Sequence, residues 1–193
     1  MTTKLPQPIV LLLAFVVSAC SSLHTANNGA THQNGERTVQ TAINDIRVEN
    51  EIKNLIKKEL PQAGTSRIEL HVFHRTVLIT GQVPDTTMKE KISRLAEKVA
   101  VTGKVHNELE IRQPLSWQEI ADDSLIATRT KGQLVGTDGI DSGKISVIVE
   151  NRVLYLMGLV TQEESERIVR SVKSVPGLTK IVRAMEIYEK TAQ

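Results

Sequence analysis

One side chain of this 193-residue sequence stands apart by its chemistry: Cys20 is the only thiol. A single cysteine cannot close an intrachain disulfide, and a thiolate zinc cluster needs several. Covalent modification is what remains open to it. The other residues with chemical potential are scattered. His71 and His74 lie three apart on a strand and a hairpin, a spacing that does not converge their rings, and His106 stands alone. His24 and His32 fall in a polar stretch and read as solvated linker residues rather than a metal pair. Glu163, Glu164 and Glu166 cluster where a helix should begin. Negative charge there complements the helix dipole, with no need for acid-base chemistry. Asp122 and Asp123 read as helix-cap candidates. Gly132, Gly136, Gly139 and Gly143 are loosely spaced, and no Gly-Lys-Ser/Thr follows, so they mark a flexible loop rather than a phosphate cradle. No nucleophile elbow, Walker loop, dinucleotide-binding glycine pattern or His-Glu-x-x-His occurs. The reading is a non-enzymatic protein with no cofactor and no metal.

The elements around Cys20 say what modification to expect. Lys4 precedes the apolar run Ile9-Val10-Leu11-Leu12-Leu13-Ala14-Phe15-Val16-Val17. This run is far shorter than the ~20 residues a membrane-spanning helix needs and fits the core of a secretory signal. It ends in Val17-Ser18-Ala19-Cys20, small residues directly before the thiol. The tetrad resembles the bacterial lipobox. That resemblance implies diacylglycerol on the Cys20 thiol as a thioether, cleavage after residue 19 and acylation of the new amine. Several acyl chains anchor a protein stably where one is marginal. Ser21, in place of the Asp that retains such proteins at the inner membrane, implies sorting to the outer membrane. The alternative is an ordinary cleaved signal with an incidental cysteine. Residues 1–19 are therefore read as signal peptide. Residues 20–41, rich in Ser, Thr, Asn, Gln and Gly, are read as a flexible tether.

Composition narrows the rest. Apolar residues make up 40% and charged residues 24%, as in an ordinary globular protein, while aromatics are only 3%, so the core must be Val, Ile and Leu. Lys and Arg number 24 against 22 Asp and Glu. A nucleic-acid binder needs a strong basic excess, so no nucleic-acid partner is expected.

The remaining chain is a repeat. Arg75-Thr76-Val77-Leu78-Ile79-Thr80-Gly81-Gln82-Val83 recurs 77 positions later as Arg152-Val153-Leu154-Tyr155-Leu156-Met157-Gly158-Leu159-Val160. Asp45, Val48, Ile52 and Ile56 recur 78 positions later as Asp123, Ile126, Thr130 and Leu134. Each unit reads helix, strand, strand, helix, strand. In the first, Asp45 is taken as N-cap of a helix whose stripe is Val48, Ile52, Leu55 and Ile56. Ile68, Leu70 and Val72 alternate as a half-buried strand, and Val77–Val83 is continuously apolar, as a central strand should be. Pro84 and Asp85 open a helix with Met88, Ile92, Leu95, Ala96 and Val99 inward, and Val105, Leu109 and Ile111 form the last strand. The second unit follows with a helix over 122–135, strands around Ile145–Val149 and Val153–Val160, a helix over 162–173 and a strand over 181–188. The predicted domains are 42–113 and 119–190, with 114–118 as linker.

This pattern is similar to the BON domain of bacterial envelope proteins. Leu156-Met157-Gly158-Leu159-Val160-Thr161 is close to the family's second-domain hairpin. Asn107-Glu108-Leu109, followed by Arg112-Gln113-Pro114, resembles its interdomain passage. The fold implied is α+β: two tandem αββαβ domains, each a three-stranded mixed sheet covered on one face by two helices. With the lipobox, the chain resembles dual-BON outer-membrane lipoproteins. It departs from the family where His74-Arg75 and Asn151-Arg152 fill hairpin turns that usually carry glycine for its positive φ.

The resemblance implies binding of anionic phospholipid through the first helix of the second domain, and a role in outer-membrane integrity on the periplasmic face. On that helix Leu125 and Ile126 are placed to touch acyl chains, and Arg129 and Lys131 to meet phosphate. The family's aromatic near Leu125 is missing. Trp117, in or near the linker, is the substitute, since Trp is favoured at headgroup depth. A plainer reading of the same helix puts Ile126 and Leu134 in the core and Arg129 and Lys131 on a solvated face. The alternative function is an adaptor that docks another envelope protein and has no lipid preference of its own.

Overall fold

The computed structural model describes residues 37–100 and 103–189. Cys20, the signal sequence and most of the expected tether lie outside the described residues. Within them the chain runs α1 (Val39–Glu59), β1 (Arg67–Phe73), β2 (Thr76–Val83), α2 (Thr86–Val99), β3 (Val105–Asn107), β4 (Glu110–Ile111), α3 (Trp117–Val135), β5 (Ile145–Glu150), β6 (Val153–Val160), α4 (Gln162–Val172) and β7 (Lys180–Ile187). This is the expected α+β architecture, two mixed sheets with two helices each.

In each sheet a hairpin precedes a parallel strand. β1 pairs antiparallel with β2, and β5 with β6. A helix then carries the chain back, so β3 and β4 join β2, and β7 joins β6, in parallel. The last strand of the first unit is broken where one strand was expected. Val77 pairs with Val105 and Gln82 with Glu110, one common register, but the ladder is interrupted between. The break lies opposite Gly81, whose φ of 114° is open only to glycine and whose Cβ would lie 2.1 Å from the Arg67 carbonyl oxygen.

The strand period of two sorts side chains onto two faces. Val77, Ile79 and Val83 of β2 face α1 and α2, where they meet Ile52, Ile56, Ile92 and Ala96. Leu154, Leu156 and Val160 of β6 face α3 and α4 in the same way, against Ile126, Leu134, Ile168 and Val172. The opposite faces are not left to water. Phe73 and Leu78 from the first sheet form a cluster with Val153, Tyr155, Met157 and Ala184 from the second. The two sheets thus pack by their helix-free faces, which is why all eight residues of β2 are buried. Hydrogen bonds flank this contact. Arg67 Nε donates to Glu150 Oε1 at 3.2 Å, Gln82 Nε2 donates to the same oxygen at 2.8 Å, and Asn151 Nδ2 donates to Glu110 Oε2 at 2.8 Å. Gln82 Oε1 in turn accepts from the Leu115 amide at 3.0 Å, tying the interdomain passage to the interface.

Both first helices start earlier than the sequence suggested. α1 is capped by Thr38, whose hydroxyl accepts from the Thr41 amide, so residues 39–41 of the expected tether are helical. α3 is capped by Ser116 in a capping box with Glu119, which moves its start from 122 to Trp117, inside the expected linker. Asp45 and Asp123 are therefore not N-caps. Both are buried in mid-helix, 1% and 5% exposed, and cap something else: the hairpins. Asp45 accepts from the His74 and Arg75 amides, both at 3.0 Å. Asp123 accepts from the Asn151 and Arg152 amides at 2.7 and 2.8 Å. These four turn residues have φ of 46°, 65°, 49° and 62°. A left-handed backbone costs a non-glycine residue ~1–2 kcal/mol. The carboxylate satisfies two amides that would otherwise be orphaned, and so holds without glycine the turn that joins helix to hairpin in each repeat.

Candidate membrane-facing site

α3 has two different faces, and its sequence fixes both. The helical period places Asp123, Ile126, Thr130 and Leu134 on one side, and all four are buried. Trp117, Ala121, Ser124, Leu125, Thr128, Gly132 and Val135 fall on the other side and are exposed. None of these seven is charged. Trp117 is 89% exposed, Leu125 55% and Val135 72%. The stripe runs about 27 Å along the helix at 1.5 Å per residue. Its two hydroxyls are turned inward: Ser124 Oγ donates to the Ile120 carbonyl and Thr128 Oγ1 to the Ser124 carbonyl, each at 2.9 Å. The polarity of the stripe is thereby reduced further.

Charge sits at its borders. Arg129 and Lys131 are exposed on the two sides of the stripe, with Asp122 also exposed on the side of Arg129. Lys131 also lines an open recess of about 280 Å³ between the domains, with Arg37, Glu49 and His71. Burial holds the His71 imidazole below its ordinary value, against the opposing pull of Glu49 and Glu69. At the helix start, the Ser116 backbone amide donates to Glu119 Oε2 at 2.7 Å, and with the Ser116 hydroxyl and Arg112 it holds the Glu119 carboxyl low. On the inner face burial pushes Asp123 up, and its two backbone hydrogen bonds oppose that shift.

The expected site residues therefore divide. Trp117, Leu125, Arg129 and Lys131 share an accessible surface. Ile126 does not: it is 3% exposed and packs into the second core. Gly177, in the turn after α4, comes so near that a Cβ there would lie 2.9 Å from Ile126 Cδ1. The expectation that Ile126 touches acyl chains is thus corrected, since its side chain points to the sheet. Trp117 belongs to the helix and stands two turns before Leu125, about 12 Å along the axis. Ala121 and Val135 complete the stripe and were missed. Their signal was the spacing from Trp117, which becomes visible only once the helix start is moved to 117. Cys20 lies outside the described residues. No described helix is long and apolar enough to cross a membrane.

Comparison with known proteins places this architecture. The BON domain model matches residues 44–113 and again 122–188. The chain is 27% identical over 150 residues, 78% of each chain, to the outer membrane lipoprotein DolP of Haemophilus influenzae. It is 22% identical over 149 residues, 77% of each chain, to a 21 kDa hemolysin of Actinobacillus pleuropneumoniae. It is also 32% identical over 130 residues, 66% of this chain and 86% of the other, to an uncharacterized protein of Anaplasma centrale. Among solved structures, CdsD of the Chlamydia trachomatis type III secretion system aligns over 72% of this chain and 91% of its own at 13% identity, with a TM-score of 0.31. The chain belongs to the BON domain family, carries two tandem copies of the domain and is a relative of outer-membrane lipoproteins.

Proposed function

We propose that the protein is a lipoprotein acylated at Cys20, held on the periplasmic face of the outer membrane, whose second BON domain lays α3 on anionic phospholipid and so supports envelope integrity. The observation that carries this reading is the uncharged outer stripe of α3, led by Trp117 at 89% exposure and bordered by Arg129 and Lys131. An amphipathic helix of this kind lies in the interface plane with its apolar side at the boundary of headgroups and acyl chains. Trp favours that depth, and each basic residue near an anionic surface contributes ~1 kcal/mol. Similarity to an outer-membrane lipoprotein supports the location. The acyl chains give permanent attachment, and α3 adds a weak preference for the lipid composition beneath it.

The test removes the anchor. Protein carrying Cys20→Ala is floated with vesicles of phosphatidylcholine, with and without phosphatidylglycerol. Flotation only with the anionic vesicles, lost on Arg129→Glu with Lys131→Glu, is the expected result. Absence of flotation removes the lipid reading and leaves the adaptor reading.

A further inference from the structure

The second domain carries another surface of different character, at the far edge of its sheet from α3. α3 packs beside β5 and α4 beside β7, the two edges of the β5-β6-β7 order. Between α4 and β7 lies an open cleft of about 660 Å³. Its rim holds four cations, Arg170, Lys173, Lys180 and Arg183, and one carboxylate, Glu166, which is 3.6 Å from Arg170. Val169, Leu178 and Ile181 line it as well, partly buried against the core. Residues 119–190 hold ten basic and eleven acidic side chains. Four of those ten converge on one cleft of a domain whose charge is nearly balanced as a whole.

The first domain supplies an internal control. Counted from the helix caps Asp85 and Thr161, Glu166, Arg170 and Lys173 correspond to Glu90, Arg94 and Glu97. Counted from the strand pairing, Lys180 and Arg183 correspond to Lys104 and Asn107. The equivalent positions of the first domain thus hold two cations against two carboxylates. The strand region there is also tied to the helix. Asn107 Nδ2 donates to the Lys89 carbonyl at 2.9 Å, and Lys89 Nζ donates to the Leu109 carbonyl at 2.7 Å. In the second domain the residue at the Asn107 position is Arg183, which lines the cleft instead.

The strands differ too. β3 and β4 are three and two residues long, whereas β7 runs unbroken for eight. Among the described residues β7 pairs on one side only, with β6. Such an edge accepts an extended chain as an added strand, with main-chain hydrogen bonds for affinity and side-chain pockets for specificity. Lys180 and Arg183 outnumber Glu186, the one carboxylate of β7, so its first half repels a basic strand and attracts an acidic one. The chain's own amino-terminal segment is a poor occupant, because Glu36 is the only acidic residue between Cys20 and Arg37.

From the cation-rimmed cleft and the free β7 edge together, we infer that the second BON domain docks an acidic, extended polypeptide segment of a partner protein along β7, under α4. This surface is separate from the α3 stripe and does not depend on lipid binding there. The test uses the full chain in neutral detergent and a fluorescein-labelled octapeptide of two Glu-Glu-Val-Val repeats, which carries Glu on both faces of an extended strand, capped at both ends. Its anisotropy should show saturable binding, weakened at least tenfold by Lys180→Glu with Arg183→Glu. The control pair Arg94→Glu with Lys104→Glu should change it less than twofold. The swap Lys180→Arg with Arg183→Lys, which keeps the charge, should retain binding and so separates charge from misfolding. The same peptide methylated on alternate backbone nitrogens should bind at least tenfold more weakly, because it cannot pair with an edge strand. Four results would each overturn the inference: no saturable binding, equal loss in both charge-reversal pairs, no effect of backbone methylation, or loss of vesicle flotation in Lys180→Glu with Arg183→Glu. The last would make the cleft a lipid site.

Discussion

α1 and α3 occupy the same place in two copies of one domain, and they differ most on their outer faces. Their buried faces match position for position: Asp45 with Asp123, Ile52 with Thr130, Ile56 with Leu134. Thr130 replaces an aliphatic residue, and its hydroxyl is satisfied within the helix by donating to the Ile126 carbonyl at 2.8 Å. Outward, both helices begin with exposed apolar residues: Val39, Ile43 and Ile46 on α1, Trp117, Ala121 and Leu125 on α3. The stripes then diverge. Farther along, the same face of α1 carries Arg47, Asn50, Asn54 and Lys57, which stand 78 positions before Leu125, Thr128, Gly132 and Val135. On α3 it stays uncharged through Thr128 and Gly132 to Val135. The inner face is fixed by the core and the hairpin, so it is held in both copies. The outer face is free to specialise, and only α3 has an aromatic residue and a stripe that runs its whole length.

The comparison can be broken at its shared part first. Asp45→Ala and Asp123→Ala each take the acceptor from two turn amides, buried at His74 and partly buried at Arg75, Asn151 and Arg152, at ~1–3 kcal/mol for a fully buried group and less for the others. Each should lower unfolding stability by about 2–4 kcal/mol in urea denaturation. A loss below 1 kcal/mol in either would show that the turn stands without its carboxylate. Next comes the part that differs. Trp117→Ala with Leu125→Ala should weaken binding to phosphatidylglycerol vesicles at least tenfold, whereas Ile43→Ala with Ile46→Ala should change it less than threefold. Equal losses in cosedimentation would mean that the two helices share the lipid surface. A smaller effect concerns the turns. Arg152→Gly relieves a left-handed residue and should raise stability by about 1 kcal/mol while Asp123 still accepts the amide. Last is a pH effect with a defined sign. His71 has a folded value below its ordinary one, so the unfolded chain binds the proton more readily. Stability should therefore fall as pH drops below about 6.5, the ordinary histidine value, until the folded value is passed. His71→Gln should flatten that part of the curve; an unchanged slope would assign it to other groups.

Much of this was legible in the sequence because hairpins and second helices advertise themselves locally. Alternation marked β1 and β5, unbroken apolar runs marked β2 and β6, and Asp85 capped α2 as read. The first helices were misread at their starts for a physical reason. Asp45 and Asp123 have the residue type of an N-cap but bond to amides 28 to 30 residues away, and sequence gives no sign of that partner. The cue that was present is Ser116 with Glu119, a capping box in plain spacing. The apolar character of both faces of β2 and β6 suggested central strands, but not that the helix-free faces of the two sheets would cover each other. The α4–β7 cleft was hidden because Arg170 and Lys173 are separated from Lys180 and Arg183 by the Pro176-Gly177 turn.

Trp117 is the only tryptophan in the chain, so its fluorescence reports on α3 alone. Adding phosphatidylglycerol vesicles to the Cys20→Ala protein should shift its emission to the blue, and lipids brominated near the headgroup should quench it more than lipids brominated deep in the acyl chains. Flotation of the protein with Trp117 emission unmoved and unquenched would contradict the account, because the membrane would then be met by some surface other than α3.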